Sequence, residues 1–237
     1  MTAFKREEHT GTGRGEITPD GCAVEMYAGL KDSGEPEVIA AAAGPGARTL
    51  LELGAGAGRM TGPLVARGFE VTAVDESAGM LERAAERAPG VRTVLSGIED
   101  LDLGERFDVV TLTSFLINTA DPEGRSRLLL ACARHVAADG CVVLQRESDH
   151  HPERRKPGLL RTDESGTVVS VEEVENLGEG VVRNVVGYER GGERWTQTFY
   201  SRWLSREDFQ HALEQAGLRI DGYLTDDGMW ARAVPAT

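Results

Sequence analysis

Basic residues are in short supply: 26 Lys and Arg stand against 39 Asp and Glu, a formal charge of −13 over 237 residues. A surface of that sign repels a phosphate backbone, so a nucleic-acid partner is not expected. The densest cationic cluster, Arg154-Arg155-Lys156, sits among His150, His151 and Glu153 and reads as a solvated loop. Cysteine is scarcer still. Cys22, Cys132 and Cys141 have no paired spacing, which excludes a disulfide framework and a CxxC knuckle, and no metal site is expected. No run approaches the roughly 20 consecutive apolar residues of a membrane span. Met1 to Asp20 has no apolar core of a signal peptide. These absences predict a cytoplasmic chain with a small-molecule partner and no membrane contact. Hydrophobic residues at 40% and charged residues at 27% make it globular, and its length lets a core form without staples.

The middle of the chain alternates short apolar runs with amphipathic stretches. Arg48 to Leu53, Val71 to Val74, Arg92 to Leu95, Phe107 to Leu112 and Cys141 to Gln145 read as buried parallel strands. Gly58 to Arg67, Ser77 to Ala88 and Pro122 to Ala138 read as helices between them. Ser77 stands as N-cap of the second, and Leu128, Cys132 and Val136 share one face of the third. That order predicts an α/β fold: a doubly wound, mostly parallel sheet covered on both faces.

After Gln145 the texture changes. His150 to Leu160 reads as a charged loop, followed by strands over Thr167 to Val174, Val181 to Arg190 and Glu193 to Leu204. Gly191-Gly192 marks a hairpin between the last two. Trp195, Phe199 and Trp203 share one face of the final strand, with Tyr200 on the other. This antiparallel insertion in the C-terminal half is predicted to be a lid over the acceptor side of the pocket or a dimer surface. Ser205 and Asp208 have capping-box spacing for a last helix ending at Gly217, and two more strands follow. The expected organisation is an N-terminal segment, 1–45, closing over a ligand; an α/β core, 46–147; the insertion, 148–204; and a return to the core, 205–237.

The segment that carries chemistry is Glu52-Leu53-Gly54-Ala55-Gly56-Ala57-Gly58-Arg59. A strand, a glycine loop and a helix in that order make a nucleotide-binding turn. Asp75, 21 residues after Gly54 at the end of the next strand, is placed to take both ribose hydroxyls. The dinucleotide fingerprint G-x-G-x-x-G fails, because its third glycine position holds Arg59. Glu52 would also repel a pyrophosphate, whereas a ligand with ammonium and sulfonium centres tolerates it.

The pattern E-x-G-x-G-x-G, with an acid ending the second strand, resembles motifs I and II of the class I S-adenosylmethionine-dependent methyltransferases. Phe107-Asp108-Val109-Val110 and the Gly-led strand from Gly140 are similar to that family's later strands. The resemblance covers about residues 48–145, and 203–234 more loosely. It implies a Rossmann-like sheet, S-adenosyl-L-methionine as methyl donor, and in-line transfer to an N or O acceptor on a small molecule. The donor contacts it implies are Tyr27, Glu52, Gly54, Ala55, Gly56, Gly58, Asp75, Glu76, Met80, Ile98, Glu99 and Thr113. Gly97 departs from the pattern, since many relatives carry an adenine-binding Asp there; Glu99, Asp100 or the backbone at Ile98 and Glu99 would take over. On the acceptor side, Ser114, Asn118 and Arg146 are candidate substrate contacts. His150, His151 and Glu147 are the candidate catalytic groups. A base is needed only if the acceptor must lose a proton, which a free amine need not do before attack. Two alternatives stay open: an NAD(P)-dependent oxidoreductase, and an S-adenosylmethionine-binding protein without transfer. Monomer and homodimer are both compatible with the sequence.

Overall fold

The computed structural model describes residues 8–150 and 156–236. The core is a seven-stranded sheet. Its parallel part is β2 (Thr49–Leu53), β3 (Glu70–Asp75), β4 (Arg92–Leu95), β5 (Phe107–Leu112) and β6 (Val136–Gln145). The C-terminal strands β11 (Leu218–Tyr223) and β12 (Trp230–Pro235) add antiparallel to the β6 edge. The order is β11-β12-β6-β5-β2-β3-β4, so the chain reverses direction between β2 and β5. A sheet of this kind opens a crevice at that reversal, beyond the C-terminal ends of the strands.

Helices α2 (Glu35–Ala43), α3 (Thr61–Ala66), α4 (Ala78–Arg87), α5 (Pro122–His135) and α6 (Arg206–Gln215) belong to this core; a single turn, α1 (Val24–Tyr27), precedes them. Two apolar clusters cover the sheet. One gathers Leu51, Leu53, Val110, Leu112, Leu128 and Phe209; the other gathers Ile39, Leu50, Leu64, Val109, Val143 and Trp230. Alternate residues of β2 and β5 thus serve opposite faces, which is why these strands read as continuous apolar runs. Ser77 caps α4 by accepting from the Met80 N–H at 3.2 Å, and Ser205 with Asp208 forms the capping box of α6.

Several boundaries differ from the sequence reading. The helix expected from Gly58 begins at Thr61, and the strand expected to end at Val174 runs on to Gly178. The third helix stops at His135, and Val136, expected on its apolar face, is extended and opens β6. Gly140 explains the early entry: a Cβ there would lie 2.7 Å from the Asp108 carbonyl, so the chain already runs hard against β5. The stretch 150–160, read as loop, contains the start of strand β7 (Gly158–Thr162).

The insertion forms a separate antiparallel sheet from β7, β8 (Val168–Gly178), β9 (Val181–Arg190) and β10 (Glu193–Arg202). Gly191 and Gly192 turn β9 into β10 with φ of 60° and 82°, the left-handed pair a two-residue hairpin requires. A fifth member of this sheet has no mark in the sequence. Residues Thr10–Thr12 form β1, which pairs with β10 and puts the N-terminal segment into the cap. Trp195 anchors this arrangement. It is buried against Ala23, Met26 and Leu30, and its indole N–H donates to the Arg14 carbonyl at 2.9 Å. Trp203 falls beyond the end of β10 and donates to the Ser148 carbonyl instead.

The loop after β2 holds three glycines, all left-handed, for different reasons. A Cβ on Gly58 would lie 2.6 Å from the Ala84 Cα, so this glycine lets α4 pack against the loop. A Cβ on Gly56 would meet nothing within 4 Å. Gly56→Ala should therefore lose only the left-handed backbone penalty, about 1–2 kcal/mol. Gly58→Ala adds an overpacking cost of about 1–3 kcal/mol on top of the same penalty. Urea unfolding of both variants checks the order, and equal losses would contradict the packing role of Gly58.

Candidate functional site

The crevice between β2 and β5 is lined on one side by the glycine loop. Both Gly54 and Ala55 donate their N–H groups to the Val74 carbonyl at 2.9 Å, so these amides hold the turn and are not open to a ligand. The Gly56 N–H donates to Asp75 Oδ2 at 2.8 Å, and the Ser77 N–H donates to Asp75 Oδ1 at 2.9 Å. Asp75 thus fixes both the loop and the start of α4. Met80 is buried beneath the loop with Val24 and Ala57. Ile98 is buried beside Gly54, and the Glu99 carboxylate comes within 3.6 Å of the place a Gly97 Cβ would occupy. Glu76 is half-buried at the start of the turn into α4.

Glu52 is fully buried at the base of the crevice. Its Oε2 accepts from the Thr61 hydroxyl at 2.6 Å, while Oε1 has no hydrogen-bond partner among the described residues. Burial pushes the carboxyl up to about 7, against the opposing Thr61 hydrogen bond and the charge of Arg59, with Asp75 adding to the rise. Arg59 is itself ion-paired to Glu35 at the head of α2. An orphaned buried carboxylate oxygen costs free energy until a donor reaches it. The ammonium of an amino-acid ligand is such a donor, and the open space over Gly56 is where a backbone-hugging ligand would lie. The residues present therefore fit S-adenosylmethionine.

On the other side of the crevice, β5 ends in two non-glycine residues with left-handed backbone, Ser114 at φ 54° and Phe115 at φ 62°. Such a pair is strained and persists only when its surroundings impose it. Gln145 does so, accepting the Ser114 N–H on its Oε1 at 2.9 Å. Thr113 is buried, with its hydroxyl turned toward the Met60 sulfur at 3.9 Å.

Several acceptor-side expectations are corrected. Arg146 does not face a substrate. It is fully buried, paired with Asp149 at 2.8 Å, donates to the Leu204 and Gly228 carbonyls, and lies over the Phe209 ring. It ties β6 to α6 and the last hairpin. Asn118 is likewise committed: its Oδ1 accepts the Glu147 N–H at 2.8 Å and its Nδ2 donates to the Arg202 carbonyl at 3.0 Å. Glu147 is buried in the same junction, where its Oε1 accepts from the Ser201 hydroxyl at 3.3 Å. His150 is exposed on a turn next to Asp149, whose N–H pairs with the Asp227 carbonyl, away from β2 and β5. His151 lies outside the described residues, as do Arg154 and Arg155. No group of three or more His, Cys, Asp or Glu among the described residues could hold a metal.

The cap supplies what the sequence reading missed. Tyr27 packs on Ala57 and Met80, and its hydroxyl donates to Gln197 Oε1 at 3.3 Å. Tyr188 donates to the same oxygen at 3.5 Å, with the two rings 6.5 Å apart. The Gln197 amide nitrogen is fixed by the Asp20 carbonyl and the Cys22 sulfur. Burial, reinforced by Cys22, raises both phenols well above their ordinary value, and burial raises the Cys22 thiol in the same way. The two phenols and the thiol are therefore uncharged at neutral pH. The alternation of β9 and β10 could have located Tyr188 and Gln197 on one face, but not their meeting with Tyr27.

The raised Glu52 carboxyl makes stability depend on pH. Folded, it titrates at about 7 rather than at 4.5. The folded state is thus undisturbed below about 4.5 and loses stability as pH rises from there through 7, by roughly 3 kcal/mol in all. In the ligand-free protein Glu52→Gln should remove that loss. The variant should be more stable than the parent at pH 8 and nearly equal at pH 5, as read by urea unfolding at both values. An unchanged pH profile would contradict the buried, raised carboxyl.

Comparison with known proteins agrees with this geometry. A family of methyltransferase domains matches residues 50–140. A dTDP-4-amino-2,3,4,6-tetradeoxy-D-glucose N,N-dimethyltransferase of Saccharopolyspora spinosa is 28% identical over 75% of this chain and 74% of its own. The fold superposes on the sugar N-methyltransferase KedS8 from Streptoalloteichus sp ATCC 53650 with a TM-score of 0.69 at 25% identity, covering 86% of this chain and 88% of that one. CalS10 of Micromonospora echinaspora, an amino pentose methyltransferase with S-adenosylmethionine bound, gives a TM-score of 0.68 at 24% identity over 88% and 94%. The failed dinucleotide fingerprint and these matches remove the oxidoreductase alternative. Among the described residues, no helix is long and apolar enough to cross a membrane. The glycine loop, the acid-ended strand, the strand reversal and the comparisons agree: residues 50–140 match a methyltransferase domain, and the fold is that of S-adenosylmethionine-dependent methyltransferases.

Proposed function

We propose that the protein N-methylates the amino group of a small amino sugar, carried on a nucleoside diphosphate. The observation that carries this reading is the uncharged cluster of Tyr27, Tyr188 and Gln197, which joins the cap to the residues packed under the glycine loop. The relative from Saccharopolyspora spinosa and the two sugar methyltransferases of known structure support the acceptor class.

S-adenosylmethionine, when bound, supplies an electrophilic methyl group that needs alignment more than activation. On the donor side, Glu52 Oε1 would accept from the amino-acid ammonium. Asp75 would accept the ribose hydroxyls while still holding Gly56. The backbone at Ile98 and the Glu99 carboxylate would border the adenine in place of the Asp missing at Gly97. Met80 supports the loop from below, and Gly58 acts through α4 packing. Across the crevice, Ser114 would face the acceptor, presented by the strained turn after β5.

The hydroxyls of Tyr27 and Tyr188 both donate to Gln197 Oε1, and Tyr27 also meets Cys22 and Tyr188. An unprotonated amine presented beside this uncharged cluster would stay neutral, with its own lone pair available for attack. No side chain has to remove a proton before attack. The proton can leave the product ammonium afterwards, to solvent.

The test uses the purified protein with S-adenosylmethionine and a dTDP-linked 4-amino sugar, following S-adenosylhomocysteine by mass spectrometry. Turnover is expected with the amine and not with the 4-hydroxy analogue. Turnover of the hydroxyl compound alone would overturn the amine assignment. Gln197→Leu should lower kcat/KM about 10- to 100-fold, the loss of a positioning hydrogen-bond set. Its donor affinity by titration calorimetry should change little. The rate should rise with pH to a plateau set by the amine itself, with no limb from an enzymic base near neutrality.

A further inference from the structure

A second charged feature lies away from the crevice, in a cavity of about 200 Å³ between α5, α6 and the end of β10. Arg125, Ser126, Arg202, Asp208, His211 and Gln215 line it. We propose that this cavity binds a small oxyanion, of the phosphate or carboxylate class, between the guanidinium groups of Arg125 and Arg202.

What sets this pair apart is that both line one cavity. Acids outnumber bases 39 to 26, and several arginines are matched to a carboxylate, as Arg59, Arg146, Arg194 and Arg206 are. Arg125 and Arg202 have no carboxylate within ion-pair distance among the described residues. Arg125 is buried and spends Nε and Nη2 on the Ile117 and Thr119 carbonyls, dipoles that leave its charge uncancelled. Burial and the neighbouring Arg202 lower its guanidinium to about 10, with Asp121 and Asp208 opposing. Those two acids are engaged as helix caps. Asp121 accepts the Glu123 N–H, and Asp208 Oδ2 accepts from the Ser205 hydroxyl and N–H. His211 is turned to Gln215. The N–H groups Arg125 has left and the guanidinium of Arg202, beside one cavity, suit a small oxyanion.

The site's position gives the anion a mechanical role. Arg202 ends β10, and its carbonyl accepts from Asn118 of the core. Ser201, just before it, bridges to Thr119. An anion held by both guanidiniums would therefore clasp the cap to the core at the same seam.

Inorganic phosphate and acetate are the probes, added to the full-length protein at constant ionic strength with chloride as reference. Thermal unfolding should rise by about 3–5 °C once one oxyanion exceeds its Kd tenfold. Arg202→Gln removes a guanidinium that makes no bond among the described residues, and Ser126→Asp adds a second carboxylate to the cavity beside that of Asp208. Both variants should fold, retain S-adenosylhomocysteine affinity, and lose the rise. No rise with either oxyanion in the parent protein, or an equal rise in a folded variant, would overturn the site.

Discussion

Asp75 accepts two backbone N–H groups at once, and the donor side of the crevice takes its shape from that double contact. Gly56 is drawn to one oxygen and Ser77 to the other, so a single carboxylate sets the curl of the glycine loop and the origin of α4. The helix can stand that close only because Gly58 has no side chain to meet Ala84. Gly54 and Ala55, tied to the Val74 carbonyl, close the turn from the strand side. The only glycine in the loop with clear space above it is Gly56. One acid and three glycines thus leave one exposed stretch of backbone, bordered from below by the unsatisfied oxygen of Glu52.

The cap is fastened at two seams of different chemistry. Near the donor, Trp195 is buried in an apolar patch with Met26 and Leu30, and the β1 strand completes the sheet. Near the acceptor, the seam is polar: Asn118, Glu147, Ser201 and Asn184 form a buried hydrogen-bonded chain from β6 into β10 and β9. A buried polar seam requires its members to stay in register, because a slipped contact strands a desolvated group. This explains why residues that look like substrate contacts in the sequence serve as fasteners. A polar residue in an apolar segment signals a specific partner, but the partner can equally be the protein itself.

The donor half was legible in the sequence because its information is local. The spacing from Glu52 to Gly58, the acid at Asp75 and the Ser77 cap are all read within about 25 residues, and the strand periods frame them. What stayed hidden depends on contacts between distant segments. Nothing in Thr10–Thr12 announces that it pairs with β10, 184 to 188 positions away. Arg146 carries no mark that its partners are Asp149, Leu204 and Gly228. Tyr27 was singled out through family resemblance, yet its partners Tyr188 and Gln197 lie in a hairpin whose docking the alternation of β9 and β10 cannot specify.

The electrostatic layout of the crevice follows the charge flow of the proposed reaction. Transfer from a sulfonium to a neutral amine moves one positive charge a short distance and creates none, so a fixed anion at the transfer point would favour the start over the finish. The carboxylates have structural partners instead: Glu52 accepts from Thr61, Asp75 holds two amides, and Glu147 accepts from Ser201. The Tyr27 and Tyr188 phenols and the Cys22 thiol, where the cap meets the core, are kept uncharged by burial. Uncharged neighbours of this kind would not stabilise the protonated, unreactive form of an amine. The same burial excludes the water that would solvate the amine and blunt its attack. An acidic protein can thus keep a neutral reaction centre, because its carboxylates are given structural partners elsewhere.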